Sequence, residues 1–289
     1  MSRRRSPSFR LWLWPLCALA SIGIATLVMA CRAPARTAAQ TPPAAPATVA
    51  DSASDESLDT PIVVIAPGVR DRVDETVVRE AFRRAVEQGE RDFGLRPTRR
   101  ITVYIDPDDA AGLEDALGLS QKYAIHLRAG RATSLPALLP LMMHEYTHAL
   151  QYQLGRLRPQ WWVEGQADHE AQRVRDPAAA ARERRTLFVQ LASDVRSGRA
   201  PNLSSLRGSL AWDEYVKKAG AGKAYGWGHA AVAFIEARAG FDAVRRIMTD
   251  SEGPNTLGRF DELIQEVTGL SPAEFDAAVK QWVLDQARG

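Results

Sequence analysis

Cysteine is nearly missing from this chain. Only Cys17 and Cys31 occur among its 289 residues, and both fall in the first 31. The remaining body therefore has no disulfide and no thiolate metal site. Any metal there must be held by His, Asp or Glu. A surplus of one charge is missing too, since the formal net charge is +2. Arg3, Arg4, Arg5 and Arg10 lie in the first 31 residues, which contain no acid. With these four set aside, the chain holds 33 basic and 35 acidic side chains. A near-neutral body argues against nucleic acid as the main partner. No internal repeat is visible. Hydrophobic residues at 45% and charged residues at 25% exclude wholesale disorder, and the length is ample for a hydrophobic core.

The N-terminus has the pattern of an export signal. Residues 2–10 are basic, and residues 11–30, LWLWPLCALASIGIATLVMA, carry no charge. This stretch is also long enough to remain as a spanning anchor. Its end, Leu27-Val-Met-Ala-Cys31, resembles a bacterial lipoprotein cleavage box. That resemblance implies lipid on Cys31 of the mature chain. Lipidated or anchored, the body is expected outside the cytoplasm, tethered to a membrane. Residues 32–60 contain nine Ala and four Pro, with only Val49 and Leu58 as larger aliphatics. Such a segment cannot offset its ordering entropy by burial, so it reads as a flexible tether.

From residue 61 the pattern predicts an α+β body. Strands are expected at 62–66 (buried), 100–105 and 122–128, with a helix over 74–93 closed by Gly94. Beyond Ser134 only helices are expected, at 134–154, 160–173, 177–197, 225–239, 241–250, 256–268 and 271–287. The last starts with Ser271, Pro272 and Glu274 in capping-box positions. The result is a small N-terminal sheet with a helix, then a mainly helical lobe.

The chemistry centres on His144-Glu145-Tyr146-Thr147-His148. On a helix the two histidines stand about 40° apart, and Glu145 about 60° from His148. Two imidazoles one turn apart can chelate one ion, and the carboxylate between them can reach water bound to it. A catalytic zinc needs a third protein ligand and an open position. Gln151 and Leu154 stand where a metzincin has Gly and His, so that pattern fails. The alternative third ligand is a Glu on a following helix. Glu164 lies sixteen residues after His148, beyond a loop at 155–160 that lets the chain reverse. Asp168, one turn past Glu164, is placed to accept the second ring N–H of a ligand histidine.

HEYTHALQ, WWVEGQAD and AYGWGHAAVAFIEARAG together resemble the gluzincin metallopeptidases, most closely their short peptidase MA-like bacterial branch, over roughly residues 120–285. The resemblance implies a reduced thermolysin-like catalytic domain with one Zn2+ per chain held by His144, His148 and Glu164. It makes Glu145 the general base, Asp168 the support of a histidine, and a peptide or protein the substrate. It also implies an oxyanion stabiliser on a later helix: Tyr225, at an expected helix start, or His229 one turn on. Gly226 and Gly228 would let that helix approach the metal. Nothing upstream of His144 matches the element with which gluzincin aminopeptidases grip a free amine, which favours endopeptidase action. A non-catalytic zinc-stabilised surface module is the alternative, and an intact Glu145 argues against it. His126 is expected in a strand lining the cleft. His169 and Glu170 are expected to face solvent, and Trp161 and Trp162 to anchor the two metal helices to each other. The sequence leaves the oligomeric state open.

Overall fold

The computed structural model describes residues 58–109 and 118–288. The leader with Cys31, and the tether up to residue 57, lie outside the described residues. Among the described residues no helix is long and apolar enough to cross a membrane.

Alternating side chains build the sheet. In β2 (Thr102–Asp106) Val103 and Ile105 are buried, and in β4 (Ala124–Arg128) Ile125 and Leu127 are. β1 (Ile62–Ile65) pairs with β2, and β2 with β4, both in parallel; β3 (Gly118–Gln121) runs antiparallel to β4, giving the order β1-β2-β4-β3. Two expectations change here. β1 is an edge strand with Ile62 and Val64 exposed at 42% each, so it is half-buried rather than buried. β3 has no counterpart in the sequence reading. Its residues, Gly-Leu-Ser-Gln, carry little strand preference, and pairing with β4 holds them extended.

α1 (Glu75–Phe93) joins the parallel strands β1 and β2, as parallel pairing requires. Asp74 Oδ1 accepts from Thr76 N at 2.8 Å to cap it, and Gly94 ends it at φ 67°. α1 and α2 (Leu135–Leu154) pack against one face of the sheet. Phe82, Val86, Ile105, Leu127, Met142 and Tyr146 belong to the core they share, which Met248 also enters.

A second core holds the rest: α3 (Gln160–Arg173), α4 (Pro177–Arg196), α5 (Ser209–Ala219), α6 (Ala221–Ala239), α7 (Phe241–Thr249), α8 (Leu257–Thr268) and α9 (Pro272–Gln286). No strand follows β4 among the described residues. The capping box of α9 is present, with Ser271 N donating to Glu274 Oε2 at 2.8 Å. α5 is unanticipated, and α6 starts four residues before the expected 225. Only Trp212 of α5 is fully buried, so its apolar stripe is thin. The glycines 220, 222, 226 and 228 weaken the local signal for α6, whose helix is held by packing on α3. Trp161 and Trp162 are buried as anchors, but their ring partners are Phe260 of α8 and Phe275 of α9, not residues of α2. α2 and α3 therefore lie side by side while rooted in different cores.

Candidate metal centre

The chain reverses between α2 and α3 at Gly155, whose φ of 62° suits glycine. The turn is held from outside: Asn255 Nδ2 donates to Gly155 O at 3.0 Å, and Arg158 Nη2 to Ile247 O at 2.9 Å. α3 then runs antiparallel to α2, with Glu164 level with His148 and Asp168 level with His144.

Three donor atoms converge between the helices. His144 Nε2 and His148 Nε2 lie 3.1 Å apart, and Glu164 Oε2 lies 3.7 Å and 3.3 Å from them. A tetrahedral ion with bonds of about 2.0–2.1 Å has its ligand atoms about 3.3–3.4 Å apart. The triangle matches that size, so His144, His148 and Glu164 could hold one metal ion.

The far side of each ligand is held. His144 Nδ1 faces Asp168 Oδ1 at 3.0 Å. His148 Nδ1 faces Gln151 Oε1 at 2.9 Å, and Gln151 Nε2 donates to Val163 O at 3.1 Å and Gln166 Oε1 at 2.8 Å. Gln160 Nε2 donates to Glu164 Oε1 at 2.8 Å. With both Nδ1–H groups donating, both Nε2 lone pairs point into the triangle. Gln151, Gln160 and Gln166 were not singled out from sequence. The available signal was position: Gln151 lies three residues past His148, on its face of the helix.

The pocket's field favours positive charge. Burial works against ionised imidazoles, yet the hydrogen bond to Asp168 leaves His144 above its ordinary pKa, and Glu164 lifts His148 to about 9. Burial opposes ionisation of Glu164, but His148 beside it holds it below the usual range. Glu145, 4% exposed, is raised by burial. Its carboxyl abuts Gly118 of β3, where an added Cβ would fall 2.5 Å from Oε1. Glycine at 118 thus lets the strand pass over the carboxyl.

These residues line a cleft of about 470 Å³. Tyr225 also lines it, its ring centroid 6.2 Å from that of His144, one turn inside α6 rather than at the helix start. Burial raises its hydroxyl pKa, so the phenol stays protonated and can donate. His229 does not reach the cleft. It is buried with its ring 5.4 Å from His169 and 6.5 Å from Phe188, and burial lowers its pKa to about 3. Of the two small residues expected to bring this helix near the metal, Gly228 meets Gly165 of α3, where a Cβ on Gly165 would fall 2.2 Å from Gly228 C. Gly226 instead faces Leu187 of α4.

Two further expectations are corrected. His126 is on β4, but β3 lies between β4 and the cleft, and Gly118, Leu119 and Ser120 of β3 line it. The His126 ring stacks on Tyr104 with centroids 4.5 Å apart, and its Nδ1 lies 2.9 Å from Asp106 Oδ2, on the sheet face away from Ile125 and Leu127. His169 and Glu170 are buried, at 5% and 0%, rather than facing solvent. His169 Nε2 lies 2.8 Å from Glu236 Oε2. The neighbours of Glu170 include Asp92 and Arg173, and burial and Asp92 push its carboxyl well above the usual range. α3 is covered on this side by other elements, which a sequence periodicity does not reveal.

The fold and the centre together define a mostly helical α+β protein with a side-chain group able to hold one metal ion. Compared with protein-family models and with curated proteins, the chain matches none.

Proposed function

We propose that this protein is a zinc metallopeptidase of the gluzincin kind, on a reduced thermolysin-like domain, working outside the cytoplasm. Lipid on Cys31 or the apolar N-terminal segment would hold it to the membrane. The observation that carries the reading is the donor triangle of His144, His148 and Glu164 in an open cleft, with the non-ligand carboxyl of Glu145 next to it in the same helix. Two imidazoles and one carboxylate suit Zn2+, and an ion held by these three residues would have a further position to offer water or substrate.

A bound zinc supplies Lewis acidity, which acidifies water and polarises a carbonyl. Glu145 takes the proton of the attacking water and passes it to the leaving amine. Burial raises its basicity for that task. The Tyr225 hydroxyl donates to the developing oxyanion. Asp168 and Gln151 keep both ligand imidazoles in one tautomer. The lining extends along α2 from Ala137, seven residues before His144, to Tyr152, four after His148. A chain can therefore extend both ways from the reacting bond, which supports endopeptidase action.

The test is elemental analysis of the purified full chain, then digestion of a broad peptide library with and without chelator. One zinc per chain and chelator-sensitive cleavage are expected. A protein that cannot be loaded with zinc, or a zinc-loaded one that cuts nothing, sinks the reading.

A further inference from the structure

The two ends of the cleft differ. Because α3 runs antiparallel to α2, the lining beyond His144 and Asp168 continues with Leu141, Pro140 and Ala137 on one helix and Ala171 on the other. These walls are small and apolar. They lead to two arginines: Arg175, just past the end of α3, and Arg131, in the short 3-10 turn before α2. Ala137 is seven residues before His144, or about 10 Å along the helix. That distance is about three residues of an extended peptide.

The arginines differ in their partners. Arg175 Nη1 donates to both oxygens of Glu183, at 2.9 and 3.1 Å. Arg131 is exposed, and no carboxylate or carbonyl of the described residues pairs with it. The acids of the cleft, Glu145, Glu164 and Asp168, are all at the other end of this run, Asp168 and Glu164 against the histidines. At this far end Glu183 holds Arg175, and Asp108 accepts from Gly130 N at 2.8 Å and pairs with Arg72, which leaves the Arg131 guanidinium as the group open to a planar anion behind the apolar passage.

We propose that this end receives a carboxylate of the substrate, about three residues from the bond that is cut, with Arg131 as the principal contact and Arg175 beside it. The inference rests on the peptidase reading above and names its substrate class: a peptide carrying an acidic side chain, or its own C-terminus, at that distance. A guanidinium offers a carboxylate two parallel N–H donors, and the side chains of Leu141, Pro140, Ala137 and Ala171 along the approach offer it no competing polar group.

Binding can be read without turnover. The full chain carrying Glu145→Gln, in detergent and loaded with zinc, is titrated calorimetrically with matched peptides. Within a set, peptides differ only as Glu or Gln at one position, or as a free or amidated C-terminus. At least one carboxylate form is expected to bind about tenfold more tightly than its amide partner, and the set in which this occurs names the source. Adding Arg131→Gln should bring that ratio close to one. Equal affinity in every set overturns the proposal and leaves the peptidase reading standing, as does a preference that survives in both Arg131→Gln and Arg175→Gln. Binding of no peptide at all overturns both.

Discussion

Glu145 and Glu164 carry the same functional group beside the same pair of imidazoles, yet their surroundings separate them. Glu164 is drawn toward ionisation by His148, while burial pushes Glu145 the other way. One is suited to ligation and the other to proton transfer. On the proposed peptidase reading, Glu145→Gln is therefore expected to abolish peptide hydrolysis while zinc content stays near wild type, because an amide of the same shape cannot take a proton. On the same reading Tyr225→Phe would remove one donor to the oxyanion and should lower kcat by about a hundred- to a thousandfold with little change in KM. Steady-state kinetics and metal analysis on the same samples check both, and full activity in Glu145→Gln rules the mechanism out. Gln151 acts one bond further away. Replacing it with Leu leaves His148 Nδ1 without its acceptor and loosens α2 from α3, so zinc affinity should fall about ten- to a hundredfold. Competition against a chelator measures this, and an unchanged affinity would remove Gln151 from the centre. His144 and His148 were legible because helical spacing is a local property, whereas Glu164, on the next helix, was legible only through the known pattern of a third ligand beyond a reversing loop. Gln151 was visible only as a residue that failed another family's pattern, since its partners Val163 and Gln166 are on a different helix.

Among the elements, α3 and α6 cross with backbone close to backbone at Gly165 and Gly228. A Cβ on Gly228 would come within 2.6 Å of Trp161 O and 2.9 Å of Gly165 Cα, both backbone atoms that cannot turn aside. Gly228→Ala should cost about 1–3 kcal/mol and carry Tyr225 away from the cleft. Gly222→Ala, in the same helix with nothing within 4 Å, should instead stabilise by about 0.5–1 kcal/mol. Urea denaturation of the two proteins would expose the error if both changes had the same sign. The face of α3 away from the cleft holds Glu170, whose folded pKa is well above 4.5. The unfolded chain releases this proton near pH 4.5 and the folded chain does not, so the stability tied to it is full below that pH. It is lost as pH rises through the folded value. Glu170→Gln should remove the loss, so that the variant gains on wild type in Tm as pH rises from about 4.5 to 8. A constant difference across that range would mean that Glu170 is ionised in the fold. Gly228 was expected to allow a close approach, but its partner Gly165 and the burial of Glu170 could not be read in advance. Periodicity locates a helix but not the neighbours that cover its second face, which is how His169 and Glu170 were misplaced. β3 and α5 escaped for a related reason, as each is held by partners rather than by its own composition.

At the scale of the molecule, α2 belongs to the sheet's core and α3 to the helical one, and the polar ligand group lies where the two adjoin. The chain passes from α2 to α3 across that seam through Gly155–Pro159. Leu157, in that turn, is 49% exposed. The turn works as a stitch, keeping the two halves at high effective concentration. A chain nicked there by a protease whose recognition sequence has been built into the turn would behave as a heterodimer that shares one cation. Its melting temperature should depend on protein concentration and fall further on chelation than that of the uncut chain. Equal losses in the two forms would show that the halves cohere through apolar contacts such as Phe93 against Phe241. If instead the nicked form depends on zinc, the ion is as much a subunit interface as a reagent, and the two halves become a split reporter for the metal.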